Sequence, residues 1–314
     1  MRLIYFGTPR FASLCLEKVL SSKHHVAAVV TAPDKPGGRG MKMLEPDIKR
    51  LAVAHNLDIL QPDDLKDPEF IEALACRQAD LFCVVAFRIL PETVFSMPAA
   101  RCINLHASLL PKYRGAAPIN WAIIRGEKET GLTTFFIRRK VDTGDILLQE
   151  RLEIGPDETF GELHDRMAGL GGELLIKTID LIESGKLKPM PQDDSLASLA
   201  PKITPALGEI DWSKPAGDVH NLVRGLSPQP GTYTYRGERK LILLRTRYAG
   251  AEVGEASPGT VMQTHPQRGI TIACGTGALE ITQLKPESGK AISGAEYVRG
   301  YRLSNGERFG KIGK

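Results

Sequence analysis

The sequence predicts an α/β protein: a doubly wound, mostly parallel, Rossmann-like sheet followed by a small all-β barrel of the OB type. Three observations carry this expectation. Strand and helix signals alternate through residues 1–188, the pattern of a parallel sheet with helices on both faces. The strand candidates "DLFCVVAF" and "RCINLH" are continuous apolar runs, as strands covered on both faces require. Beyond residue 208 the sustained helical periodicity gives way to short strand-like runs between Gly, Pro and polar turns. Residues 1–188 are therefore expected as one domain, 189–208 as a linker and 209–314 as a second domain.

Taken in order, "RLIYF" is a short apolar strand. In "GTPRFASLCLEKVLSS" the residues Phe11, Leu14, Leu16 and Val19 share a helix face. "HVAAVV" is the next strand, "EPDIKRLAVAHN" a helix and "DIL" a short strand. "DPEFIEALACRQ" is a helix with Pro68 in its first turn, where a missing N–H costs nothing. The two apolar runs follow, then strands in "GLTTFFIRR" and "DILLQERLEI". A long helix spans "ETFGELHDRMAGLGGELLIKTIDLIESG", with Thr159 and Glu162 spaced as a capping box. Its Leu163, Met167, Leu170, Leu174 and Ile182 recur at helical spacing and belong to a core. Lys188 to Gly208 is rich in Pro, Ser, Asp and Ala without periodicity, hence the linker. After a short helix in "EIDWSKPAGDVHNLVRGL", the runs "GTYTY", "KLILLRTRYA", "GTVMQTH", "GITIACG" and "ALEITQL" read as strands of a small barrel, a common nucleic-acid scaffold.

Hydrophobic residues make up 42% and charged residues 25%, the balance of an ordinary soluble globular chain. No window holds the roughly 18 uninterrupted apolar residues of a membrane span. The start, "MRLIYFGTPRF", lacks the apolar core and cleavage site of a signal peptide. Cytoplasm is the expected location. Cys15, Cys76, Cys83, Cys102 and Cys274 are odd in number and without a CxxC pair, so reduced thiols are expected. The seven histidines show no metal-ligand spacing, and no metal is expected. Net charge is +4, and it is unevenly spread. Residues 205–314 carry 15 Lys and Arg against 10 Asp and Glu, whereas residues 1–204 carry 26 against 27. A polyanionic partner would therefore meet the carboxyl-terminal part.

The first strand runs into "GTPRF", which is not GxGxxG, and no GxxxxGK[ST] occurs. The sheet therefore lacks a glycine loop for a dinucleotide or nucleoside triphosphate. In "CINLHASLLPKYRG", strand alternation puts Asn104 and His106 on one side and Ile103 and Leu105 on the other. Ligands of open α/β sheets sit beyond the strands' carboxyl ends, where this pair falls. Asn104 offers an amide donor that polarises a carbonyl without changing protonation. His106 can donate to a developing oxyanion or shuttle a proton. Asp142, in "VDTGD", is an acid able to orient and charge the imidazole. Ser108 has no GxSxG elbow, and no other nucleophile stands out, which suits direct acyl transfer between two bound substrates. Residue types alone leave two readings open: this catalytic set, or a capped strand end with a buried histidine satisfied by an acid.

"NLHASLLPKYRGAAPINWA", with "VDTGDIL" about 35 residues on, resembles the formyltetrahydrofolate-dependent transferase and hydrolase family. The resemblance implies a formyltransferase core using 10-formyltetrahydrofolate as co-substrate without a metal. It implies that Asn104, His106 and Asp142 are the catalytic trio. Ser108, Leu109, Leu110 and Pro111 correspond to the family's folate-binding signature. "VVAFRILP" resembles the loop that receives the pterin ring, bringing in Phe87, Arg88, Ile89 and Leu90. "TAPDKPGGRGMKM" resembles a mobile basic loop of those members that act on initiator methionyl-tRNA, with Arg39 at the tRNA-reading position and Lys35 and Lys42 flanking it. With "EIDW" at the junction and a carboxyl-terminal β domain, the chain is most similar to those members, and the β domain is expected to bind tRNA. A monomer is expected. The rivals are a formyltransferase acting on an amino-sugar nucleotide and, in another class, a non-catalytic tRNA-binding module; the intact trio argues against the latter.

Overall fold

A computed structural model describes all residues except 38–41, 251–253 and 312–314. Two compact units emerge. The first comprises residues 1–115, 131–152 and 164–200, and the second comprises 116–130, 153–163 and 201–314.

The first unit is built from β1 (Arg2–Gly7), α1 (Arg10–Leu20), β2 (His25–Val30), β3 (Lys35–Gly37), β4 (Lys42–Leu44), α2 (Asp47–Ala54), β5 (Ile59–Leu60), α3 (Pro68–Ala75), β6 (Leu81–Val85), α4 (Glu92–Phe95), β7 (Cys102–His106) and β8 (Arg114–Gly115). Downstream elements are α5 (Pro118–Ile124), β9 (Glu129–Phe136), β10 (Ile146–Glu153), α6 (Phe160–Glu183) and β11 (Leu199–Ala200). The main sheet has the spatial order β10-β9-β7-β6-β1-β2-β5. β5, β2, β1, β6 and β7 pair in parallel, and β9 pairs antiparallel to β7. The mostly parallel sheet is thus as expected. The chain leaves β1 first towards β2 and later returns on its other side at β6. That reversal opens a crevice at the strands' carboxyl ends.

The apolar runs explain the placement. Ile4, Phe6, Ala28, Val30, Phe82 and Val84 point to one face and meet Phe70 and Leu74 of α3. Alternate residues such as Leu3 and Tyr5 are buried on the other face, where Tyr5 Oη donates to the Ala12 carbonyl of α1 at 2.9 Å. Asp67 caps α3 by accepting from the Glu69 N–H at 2.9 Å, with Pro68 at the first helical position. The Thr159–Glu162 capping box forms: the Thr159 N–H and hydroxyl both donate to Glu162 Oε2, and the Glu162 N–H donates back to Thr159 Oγ1. The described flanks of the "PDKPGGRGMKM" stretch are not irregular. Lys35, Pro36 and Gly37 pair with Leu44, Met43 and Lys42 as a two-stranded ribbon.

The second unit holds α7 (Ala216–Leu226), β12 (Thr232–Arg236), β13 (Arg239–Tyr248), β14 (Val261–His265), β15 (Gly269–Ala273), β16 (Ala278–Pro286), β17 (Ile292–Ser293) and α8 (Gly294–Tyr301). The antiparallel order is β12-β13-β16-β15-β14, with β17 on β16. The residues just before the carboxyl terminus link the two edges. The Val261 N–H donates to the Glu307 carbonyl, and the Gly310 N–H donates to Tyr235 at the other edge, each at 2.8 Å. The unit is not all-β, because α8 packs on β14, β15 and β16 and α5 packs on α7. The "SGAE" run starting α8 is a capping box between Ser293 and Glu296, a sequence signal the strand pattern overshadowed.

The compact units also divide differently from the boundaries expected at 188 and 208. Residues 189–200 belong to the first unit, where β11 pairs in parallel with β8. A two-residue strand has no periodicity to read. Among the described residues no helix is long and apolar enough to cross a membrane.

Candidate active site at the carboxyl end of the sheet

β7 carries the site because it is paired on both sides. Val84 of β6 lies opposite Asn104, and Thr133 of β9 lies opposite His106. Cys102, Ile103 and Leu105 are buried, while Asn104 is half-buried. The Asn104 carboxamide makes no side-chain hydrogen bond among the described residues, so its donors are open to a ligand. His106 is only 7% exposed. Its Nε2 lies 2.8 Å from the Tyr113 carbonyl oxygen. A carbonyl only accepts, so Nε2 carries a proton and the neutral ring has its lone pair on Nδ1. Nδ1 faces Asp142 Oδ2 at 3.9 Å, beyond hydrogen-bond reach. The same Oδ2 accepts from the Gly115 N–H at 2.8 Å. The three residues singled out from the sequence thus gather at one place. The imidazole, however, takes its orientation from the Tyr113 carbonyl, and Asp142 supplies charge beside the open nitrogen.

Both anchors lie in one turn. Tyr113 has φ 61° and Gly115 has φ 122°, the left-handed region that costs a side chain energy. At Gly115 a Cβ would lie 2.7 Å from the Ala200 carbonyl oxygen, so this position requires glycine. The preceding loop is pinned by Thr133. Its hydroxyl donates to the Ser108 carbonyl at 2.6 Å and accepts from the Leu110 N–H at 3.1 Å. Gln149 Nε2 donates to the Leu110 carbonyl at 2.9 Å. Ser108 is fully buried, and its hydroxyl donates to the Lys112 carbonyl at 2.6 Å, closing the loop instead of serving as a nucleophile. Leu110 is buried, whereas Leu109 and Pro111 are half-buried.

The second expected loop follows β6, beside the crevice. Leu90 is buried in the core and Phe87 packs edge-on against Phe6, with centroids 5.7 Å apart. Arg88 is tied down, donating to the Pro62 and Asp63 carbonyls at 2.7 and 3.0 Å. Ile89 is 74% exposed, an apolar side chain held out where a ring can cover it. Of the basic-loop residues, Lys35 is exposed at the base of the ribbon, and Lys42 lies in its second strand. Arg39 lies outside the described residues.

One contributor has no sequence signal. Gln192, in the segment expected as a linker, donates through Nε2 to the carbonyls of Asp142 at 3.0 Å and Gly144 at 2.8 Å. Its Oε1 accepts from Arg114 Nε at 3.1 Å and Nη2 at 2.7 Å. Nothing in composition or spacing joins residues so far apart in the chain. The basic run before Asp142 forms ion pairs: Arg138 with Asp145, Arg139 with Glu92 and Lys140 with Asp194.

Cys83 and Cys102 lie on the two strands behind the site, where burial pushes the Cys83 thiol up to about 12 and Cys102 well above its usual value. Neither is a thiolate near neutrality, and only the thiolate is a nucleophile. Among the described residues no group of three His, Cys, Asp or Glu is arranged to hold a metal ion. The arrangement therefore combines an amide donor, a proton carrier with one open nitrogen and a carboxylate. It can stabilise an oxyanion and move a proton between two substrates.

Residues 1–179 match the Formyl transferase family, and residues 202–302 match the family described as Formyl transferase, C-terminal domain. A methionyl-tRNA formyltransferase of Acetivibrio thermocellus is 43% identical over 312 residues, 99% of this chain and 100% of that one. One of Geobacter sulfurreducens is 44% identical over 314 residues, 100% of this chain and 98% of that one. Among solved structures, HypX from Aquifex aeolicus in complex with tetrahydrofolic acid matches with a TM-score of 0.66 at 18% identity. The match covers 98% of this chain and 48% of HypX, so the chain spans about half of that protein's length. WlaRD, a sugar 3N-formyl transferase in the presence of dTDP and 5-N-formyl-THF, matches with a TM-score of 0.67 at 19% identity, over 92% of this chain and 99% of that one. At these identities the two structures share a fold with this chain.

Proposed function

The chain belongs to the formyl transferase family, and on that premise we propose that it transfers the formyl group of 10-formyltetrahydrofolate to the α-amino group of methionyl-initiator tRNA, for translation initiation. The observation that carries this reading is identity of 43–44% to methionyl-tRNA formyltransferases over nearly the whole chain, carboxyl-terminal unit included.

The site's geometry suits the chemistry. Asn104 donates its free amide to the formyl oxygen, where negative charge develops as the amine attacks the carbon. His106, with Nε2–H fixed on Tyr113, takes a proton from the attacking nitrogen at Nδ1. Asp142, at 3.9 Å, places negative charge beside the imidazolium so formed. As the bond from the formyl carbon to the folate nitrogen breaks, His106 returns that proton to the departing nitrogen. The products are the formylated amine and tetrahydrofolate, and the ring ends as it began. For the folate, the proposed contacts are Phe87, Arg88, Ile89 and Leu90 with Ser108, Leu109, Leu110 and Pro111. The exposed Ile89 and the pinned 108–111 loop support that assignment.

Residues 1–188, with the 189–200 segment that pairs onto them through β11, then perform the transfer, and 209–314 contact tRNA, with Lys35, Arg39 and Lys42 reading the acceptor end. The active species is taken as a monomer in the cytoplasm. One chain supplies the whole trio, and its five cysteines are free thiols. The deciding assay combines methionyl-tRNA with 10-formyltetrahydrofolate, with uncharged tRNA, free methionine and an amino-sugar nucleotide as alternative acceptors. Formylation of the sugar but not the tRNA would overturn the acceptor. Arg39→Leu is expected to cut formylation of initiator tRNA sharply and to weaken discrimination against elongator methionyl-tRNA, leaving folate affinity unchanged. A bidentate base contact contributes about 1–3 kcal/mol of discrimination. Wild-type selectivity in that variant would remove Arg39 from the reading.

A further inference from the structure

We propose that Gln192 is a positioning residue for the transfer, setting the distance between His106 and Asp142; the inference rests on the function proposed above. His106 is oriented by the Tyr113 carbonyl and Asp142 by the Gly115 N–H. Those two anchors flank Arg114, whose guanidinium is buried and donates to Gln192 Oε1 from two nitrogens. Gln192 Nε2 donates to the carbonyls of Asp142 and Gly144. One carboxamide therefore joins the turn that holds the imidazole to the loop that holds the carboxylate.

Its chemistry is specific. Arg114 only donates and the two carbonyls only accept, so the oxygen must face Arg114 and the nitrogen must face the loop. All four hydrogen-bonding positions are used. Asp142 itself has φ 53°, and at Gly144 a Cβ would meet the Phe136 carbonyl oxygen at 1.6 Å. The loop's other bonds, from the Phe136 N–H to the Asp145 carbonyl at 3.1 Å and from Thr143 Oγ1 to the Lys140 carbonyl at 2.8 Å, leave the Asp142 and Gly144 carbonyls to Gln192. Other bonds fasten the same strap to the turn: the Tyr113 N–H donates to Ser198 Oγ at 3.0 Å and the Arg114 N–H to the Ser198 carbonyl at 2.9 Å. Arg114 also pairs with Asp194 at 2.7 Å. These hold the strap whether or not residue 192 can donate.

Gln192→Glu separates the two halves of the bridge. A carboxylate keeps the bond to Arg114 but cannot donate, and it sets negative charge against two carbonyl oxygens. Gln192→Ala removes both halves. A displacement of about 1 Å between reacting groups costs on the order of 100-fold in rate. Both variants are expected to lower kcat by roughly 10- to 100-fold, with KM for folate and for methionyl-tRNA within about twofold. The pH profile of kcat is expected to change, because His106 and Asp142 no longer face each other at a fixed distance. The measurements are steady-state formylation of methionyl-tRNA by the full chain across pH, with thermal unfolding of each variant. A near-normal kcat in folded Gln192→Glu would overturn the inference. So would a loss of folding in Gln192→Glu, since Gln192 would then be a structural clamp. An inactive wild type would instead overturn the proposed function, which keeps the two failures distinct.

Discussion

At the scale of single residues, function rests on which polar atoms are already satisfied and which are left open. His106 has one nitrogen committed to a backbone carbonyl and one facing a carboxylate, and the Asn104 amide is open among the described residues. Asn104→Ala is expected to reduce turnover by about 100-fold, the scale of losing one oxyanion donor, or roughly 2.7 kcal/mol, and His106→Ala by about 100-fold or more, the scale of losing a general acid–base group. Folate affinity is expected to change little, because neither residue lies in the two loops proposed to contact folate. Stopped-flow or steady-state formylation beside folate binding checks this, and near-normal turnover in either folded variant would remove that residue from the trio. That Asn104 and His106 share a side was legible from strand alternation, whereas their grouping with Asp142 came only from the family resemblance of the two motifs. Tyr113 and Gln192 were not legible, since a backbone carbonyl carries no side-chain signature and Gln192 is distant in sequence.

At the scale of elements, the amino terminus of α6 is a local device whose behaviour with pH follows from its contacts. Burial pushes the Glu162 carboxyl up, but the Arg245 guanidinium and the Thr159 N–H and hydroxyl outweigh it and hold the value at about 2. In the unfolded chain a glutamate titrates near about 4.3. The carboxylate therefore contributes its full share of stability above about pH 5, and the share disappears as pH falls through the folded value of about 2. Glu162→Gln is expected to lower stability near neutrality and to converge with the wild type as the solution is acidified. Urea unfolding of both proteins between pH 7 and pH 3 tests it; a difference that stays constant over that range would show that charge at Glu162 does not matter. The "TFGE" spacing announced the cap, whereas Arg245 lies 83 residues on and was not announced.

At the scale of the molecule, the compact units are interleaved in sequence. α5 lies between segments of the first unit yet belongs to the second, where Ile119 and Ile123 are buried and Asn120 Nδ2 donates to the Gly225 carbonyl of α7 at 2.8 Å. A chain ending near residue 205 loses α7 and exposes that face, at about 1.5–3 kcal/mol for each aliphatic side chain returned to water. Such a fragment is expected to be poorly soluble and protease-sensitive; a stable, folded 1–205 fragment by limited proteolysis would contradict this. The tRNA reading is better tested on the full chain. Affinity is expected to fall with salt, because phosphates neutralised by the protein release counterions. Replacing the exposed Arg239 and Arg247 of β13 with Gln is expected to flatten the log–log slope by about one for each phosphate left without its arginine. An unchanged slope would place tRNA on another face.

Apolar periodicity, capping residues and the run from Asn104 to Gly115 were enough to place the parallel sheet, its longer helices, the strand-rich second unit and the end of the sheet where the candidate site lies. These are local or near-local signals, in which each residue's side is set by the period of its own element. Tertiary structure alone decided that β11, in the 189–200 segment, pairs with β8, that α5 joins the carboxyl-terminal unit, and that residues 307–310 bridge the edges of its sheet. It alone decided which atom holds His106. Those features arise from hydrogen bonds between groups remote in sequence, whose partners exist only once the chain has brought them together.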